Sequence, residues 1–110
     1  MSPKPLPTPN PEFEPALDLA RSGRFAEAIQ SVERAIGRTD AHDALATPAA
    51  LVLAAIARLA ERAQDFVAAE RGIEEAVRLR PQFADLQYQL ACLRIARGQR
   101  LEARRALEKA

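Results

Sequence analysis

The sequence predicts an all-α fold of antiparallel helix hairpins, about six helices in all, and three observations carry that expectation. The apolar residues are mostly Ala and Leu, with no Trp, one Tyr and four Phe, a choice that favours close helix packing over sheets. Apolar residues recur at helical spacing in segments broken by Gly, Pro or polar clusters. One pattern of large and small residues returns 34 positions later. At 48% apolar and 28% charged, the 110 residues have globular composition and make one domain.

Pro3, Pro5, Pro7, Pro9 and Pro11 fix φ and remove amide donors at every second position, so residues 1–11 read as an extended Pro-rich tail, a spacer or a polyproline ligand. Helices are expected at about 14–22, 25–37, 48–63, 66–79, 83–97 and 100–110. Pro15 and Pro48 suit a first helical turn, where the missing N–H has no intrahelical acceptor, and Thr47 is placed to cap the helix that Pro48 opens. Gly23 and Gly98 suit the left-handed residue that ends a helix before a tight turn. Pro81 stops the helix before it.

The recurrence is specific. Ile56-Ala57, Phe66, Ala69, Ile73 and Ala76 are echoed 34 residues on by Leu90-Ala91, Arg100, Ala103, Leu107 and Ala110, with Arg100 the apolar mismatch. Ala16, Phe25, Ala28, Val32 and Ala35 lie 41 residues before their counterparts, which is one repeat plus a seven-residue insertion placed at about 37–47. Ala57 with Ala69, and Ala91 with Ala103, are expected where the two helices of a hairpin cross. Small side chains there let the backbones approach, and a bulky replacement overpacks the crossing by roughly 1–3 kcal/mol.

These residues and this period resemble the tetratricopeptide repeat family from about residue 12 to the end. The resemblance implies a domain over 12–110 with hairpins at about 14–37, 48–79 and 83–110, stacked as a right-handed superhelix, an α-solenoid. The departures are Pro15 and Arg94, which stand where the family carries aliphatic or aromatic residues.

The resemblance further implies that the first helix of each hairpin lines a concave groove. The residues turned to the groove are Leu51, Ala54, Arg58, Glu61 and Arg62 from the middle repeat and Asp85, Tyr88, Cys92, Ile95 and Ala96 from the third, with Phe13, Leu17, Ala20 and Arg21 offered by the first; Leu51, Ala54, Arg58, Arg62, Tyr88, Cys92 and Ile95 are the expected binding set. Tyr88, Cys92 and Ile95 form an apolar stripe at i, i+4, i+7, beside an inward stripe of Leu86, Leu90 and Leu93. The outer stripe either receives a peptide, with an apolar anchor and an acidic group near Arg58 and Arg62, or is covered by the Pro-rich tail, a further repeat or a second copy of the chain. The carboxylate clamp of chaperone-binding members has no basic counterpart at Phe13, Leu17, Ala55, Asp85 or Gln89.

Other functions find less support. Cys92 is the lone cysteine and His42, beside Asp43, the lone histidine; no Gly-rich phosphate loop occurs, so neither catalysis nor a cofactor or metal is expected. No apolar stretch is read as reaching the roughly 18 residues that cross a bilayer, and a cytoplasmic protein is expected. Residues 1–77 hold 8 Lys/Arg against 12 Asp/Glu, a balance of −4, while residues 78–110 hold 8 against 3, a balance of +5. That basic end is Arg-rich, but acidic residues interrupt it and aromatics for stacking bases are few, so nucleic acid is a lesser expectation than a protein partner. The last helix runs to Ala110 without a polar capping helix, which leaves Leu101 and Leu107 for self-association through that end or for more of a larger protein to cover.

Overall fold

The computed structural model describes residues 11–37 and 42–109, and for His42, Asp43 and Lys109 the backbone alone. Among the described residues there are five α-helices and no strand: α1 (Glu14–Arg21), α2 (Phe25–Gly37), α3 (His42–Arg62), α4 (Phe66–Leu79) and α5 (Ala84–Lys109). The all-α expectation holds, with five helices in place of about six. The expected Pro-rich tail lies outside the described residues except for Pro11, which opens a 3-10 turn, Pro11–Phe13, that seats a fully buried Phe13 ahead of α1. Phe13 and Ala20 therefore belong to the core and not to a groove.

Two hairpins form, and they turn the same way. After α1 the Gly23 amide donates to the Ala20 carbonyl at 3.0 Å and the Arg24 amide to the Leu19 carbonyl at 2.9 Å, with Gly23 at φ +83°. After α3 the Gln64 amide donates to Glu61 at 2.9 Å and the Asp65 amide to Ala60 at 2.8 Å, with Gln64 at φ +65°. Both are Schellman turns, which give the last helical carbonyls their donors. Asp65 then caps α4, its side chain accepting from the Ala68 amide at 3.2 Å.

Small residues meet at both crossings. Ala16 and Ala28 are fully buried between α1 and α2, and Ala57 and Ala69 between α3 and α4. Gly72 brings α4 closest: a Cβ added there would lie 3.4 Å from the Leu53 carbonyl oxygen and 3.5 Å from both Ala57 Cβ and Ile29 Cδ1, so α2, α3 and α4 converge on it. Ile29, Val32, Leu53, Ile56 and Ile73 close the core around this point.

Three expectations are corrected. The insertion is not a loop to residue 47, because α3 starts at His42 and carries Pro48 in its interior. An interior proline costs about 3 kcal/mol; burial of Leu45 and Ala46 offsets most of it, at about 1.5–3 kcal/mol for a leucine side chain. Thr47 does not open a helix either, for its hydroxyl accepts from Arg80 Nε at 2.8 Å. The last two expected helices are one, α5, which passes straight through Gly98. Gly98 costs a helix about 1 kcal/mol, and Gln99, Arg100 and Leu101 are good helix formers with no capping residue among them. Along this straight course Arg97 pairs with Glu70, and Arg100 sits 4.5 Å over the Phe66 ring. The third crossing is consequently absent: Ala91 and Ala103 are both exposed.

Ala44–Arg62 within α3 is also a correction, since its 19 residues, at mean hydropathy 1.6, have the length and composition that cross a membrane. It is at the same time the central helix of the packed body, with Ala49, Leu53, Ile56 and Ala60 fully buried by its neighbours.

Urea unfolding separates the two glycines. Gly23→Ala should cost about 1 kcal/mol, because alanine resists a positive φ, whereas Gly98→Ala should stabilise by up to about 1 kcal/mol as an interior helical position. Ala57→Leu should cost about 1–3 kcal/mol by overpacking.

Candidate partner-binding groove

The position of α5 decides the groove. Its inward face, Leu86 and Leu93 with Leu90 half-buried, rests on the core as the sequence anticipates. Arg94, the departure from the repeat pattern, lies 3.4 Å from Glu70 and 3.1 Å from Glu74 on α4, and Arg97 shares Glu70. Burial opposes the charge on Glu70, but hydrogen bonds and attraction from Arg97, then Arg94, outweigh it and hold the carboxyl below the ordinary carboxylate range. These ion pairs add to the buried Leu86 and Leu93 in holding α5 against α4. They also commit two arginines of the basic end to internal partners.

With α5 so held, a row of open depressions runs along its seam with α3. One of about 370 Å³ is lined by Leu51, Phe83, Asp85 and Leu86. The next, of about 360 Å³, is formed by Arg58, Glu61, Asp85, Tyr88, Gln89 and Cys92. A third, of about 470 Å³, includes Glu61, Arg62, Phe66, Gln99 and Arg100. Asp85 is common to the first two and Glu61 to the second and third, so they read as one groove. Across its middle the Gln89 side-chain amide donates to the Ala54 carbonyl at 3.3 Å, tying α5 to α3.

The structure brings Arg58, Tyr88 and Cys92 together and sets Leu51 and Arg62 in the depressions on either side. Ala54 is a correction: it is 6% exposed and lies beneath Gln89 as packing. Ile95 is also displaced from the expected floor; it is 61% exposed and lines none of the three depressions. Tyr88 is 73% exposed, and its phenol is pushed above its ordinary value by hydrogen bonding to the Cys92 thiol, then by that group's charge, then by desolvation.

Glu61 and Asp85, both turned to the groove by helical spacing, give it both signs of charge beside Arg58 and Arg62. Nothing in the sequence ranked them above the arginines. Gln89 had no signal beyond its register. Gln99 and Arg100 were hidden because that segment read as a turn. Among the described residues no three of His, Cys, Asp and Glu come together as metal ligands. The side chains of His42 and Asp43 lie outside the described residues. Compared with models of protein families, with curated proteins and with solved structures, the chain has no match.

Glu70 gives a pH signature. Because its folded pKa lies below the unfolded value near 4.5, its stabilisation is present above that value and is lost as pH falls through the folded one. Glu70→Gln should cost about 0.5–1 kcal/mol in urea unfolding at pH 7, and the difference from wild type should vanish in acid. A pH-independent difference would show that the charge is not responsible.

Proposed function

We propose that the chain is a non-catalytic protein-binding module of the tetratricopeptide kind, working in the cytoplasm, whose α3–α5 groove takes a peptide or helical segment of a partner protein. The family reading is supported by the 34-residue recurrence and by two hairpins with the same turn and the same small-on-small crossing. The groove reading rests on one observation above the others: Tyr88, Arg58 and Cys92 line a single open depression between two helices, with the Tyr88 side chain 73% exposed. Tyrosine and arginine are the side chains that most often anchor binding surfaces, since each combines a rigid flat body with a polar tip.

In this reading an apolar side chain of the partner lies against the Tyr88 ring while an acidic group meets Arg58. Asp85 and Glu61 then accept donors from the same segment and exclude peptides that are acidic throughout. Lone cysteine chemistry plays no part.

The test is a peptide array of segments that combine an apolar anchor with one acidic residue, followed by titration of the best binder. Combining Tyr88→Ala with Arg58→Ala should weaken capture at least about tenfold, or 1.4 kcal/mol, with the helical circular dichroism unchanged. Unchanged affinity in that folded variant would sink the groove.

A further inference from the structure

Arg94 of α5 meets Glu74 and Glu70, Arg97 meets Glu70, and Arg100 lies over Phe66, the first residue of α4. The two helices therefore run antiparallel, and α5 continues to Lys109 after α4 has ended. The face that rests on the core runs on with it. Leu86, Leu90 and Leu93 are followed by Arg97, Arg100, Arg104 and Leu107, at alternating spacings of four and three, which keep one side of a helix turned to a packing partner. Leu86 and Leu93 are 4% and 2% exposed, whereas Leu107, on the same line, is 78% exposed. Leu101 stands one turn from both Arg97 and Arg104, on their side of the helix. With Phe66 these arginines and leucines line an open depression of about 560 Å³. The packing seam thus changes from leucine to arginine where the helix leaves the body.

We propose that this overhanging seam docks an acidic amphipathic helix of a partner protein, laid along α5 beyond the start of α4, with carboxylates on Arg100 and Arg104 and an apolar side chain between Leu101 and Leu107. The pairing is the one α4 already makes: Glu70 and Glu74, one turn apart, take Arg94 and Arg97. A partner helix with carboxylates at that spacing continues the series to Arg100 and Arg104. Arg100 keeps its charge over the Phe66 ring, since that contact leaves the guanidinium unneutralised. The contact of Arg104 with Glu108, at 3.7 Å, is exposed on both sides and costs little to exchange. The chemistry of the face selects a protein helix. Single-stranded nucleic acid stacks its bases on aromatic rings, and the Phe66 ring is covered by Arg100. A helix that lies in a membrane surface keeps leucines and arginines on opposite faces, and here they share one. Residues 1–10 carry Lys4 and no Asp or Glu, so charge does not draw them to it. The proposal does not rest on the peptide-groove reading, because Leu101, Arg104 and Leu107 line none of the three groove depressions.

The full chain is titrated with a panel of synthetic helical peptides that carry Glu and Leu at alternating three- and four-residue spacings. Gln-for-Glu and Ala-for-Leu versions, oligodeoxythymidylate and phosphatidylserine vesicles are titrated beside them. A Glu/Leu peptide should bind, and both altered versions should bind at least about tenfold more weakly. Combining Arg104→Ala with Leu107→Ala, both exposed, should weaken that binding at least about tenfold with the helical circular dichroism unchanged. Combining Tyr88→Ala with Arg58→Ala should leave it unchanged. Failure of every Glu/Leu peptide to bind overturns the proposal, as does equal binding of the Gln versions. Tighter binding of the oligonucleotide or the vesicles assigns the face to nucleic acid or to a lipid surface and overturns it too. A dimer of the 12.0 kDa chain in light scattering, dissociated by the Arg104 and Leu107 substitutions, would put a second copy on the seam and overturn it. Binding lost in the Tyr88 and Arg58 variant but kept in the Arg104 and Leu107 variant places the peptide in the groove, which sinks this proposal and leaves the groove reading standing.

Discussion

The close approach of α4 to α3 is the constraint on which the remainder of the molecule depends. At Gly72 a single methyl group would already be in van der Waals contact with a backbone carbonyl of α3, an alanine of α3 and an isoleucine of α2. Three helices meet at that point only because Ala57, Ala69 and Gly72 present almost no side chain to one another. The larger residues, Ile29, Leu53, Ile56 and Ile73, then fill the space around the contact and supply the hydrophobic stabilisation, since dense packing leaves no room for a different arrangement. Glu70 and Glu74 of α4 meet Arg94 and Arg97 of α5, and with the buried Leu86 and Leu93 they hold α5 where the groove forms.

The turns carry the geometry from one hairpin to the next. Each ends its first helix with a left-handed residue and two reverse hydrogen bonds, but one uses glycine and the other glutamine. A left-handed glutamine costs about 1–2 kcal/mol, which the Asp65 cap and the buried crossing behind it outweigh. At Gly98 the balance falls the other way. A glycine is present, yet no cap follows it, and the side chains on either side already have partners on α4. The helix continues through Gly98. Turn residues therefore permit a reversal and do not impose one; the contacts available on the far side decide.

The same logic explains what the groove is made of. Its arginines and tyrosine stand at positions that helical spacing alone assigns to one side of α3 and α5, and Arg58, Tyr88 and Cys92 do meet there. Ala54 and Ile95 share that spacing and do not join them. Spacing fixes direction on one helix but not the distance or rotation of its neighbour. Gln89 reaches over Ala54, and Ile95 stays exposed outside the depressions although Ala96 and Gln99 on the same helix line one of them.

By itself the sequence determined the helical class, the boundaries of α1, α2 and α4 to within a residue, the small residues of the α3–α4 crossing, and the inward stripe of α5. These are local quantities, set by backbone propensity, by the missing donor of proline and by the 3.6-residue period, and each is settled within a few turns of chain. Only the tertiary structure decided that α3 begins before Pro48, that α5 does not end at Gly98, and that Ala54 is covered as packing while Ile95 stays outside the depressions. In each case a local cost of about 1–3 kcal/mol, or a choice between equally good registers, was overridden by contacts from residues more than twenty positions away: Arg80 on Thr47, Glu70 on Arg97, Ala54 under Gln89. Such contacts exist only once the helices are assembled, so no window of the sequence contains them.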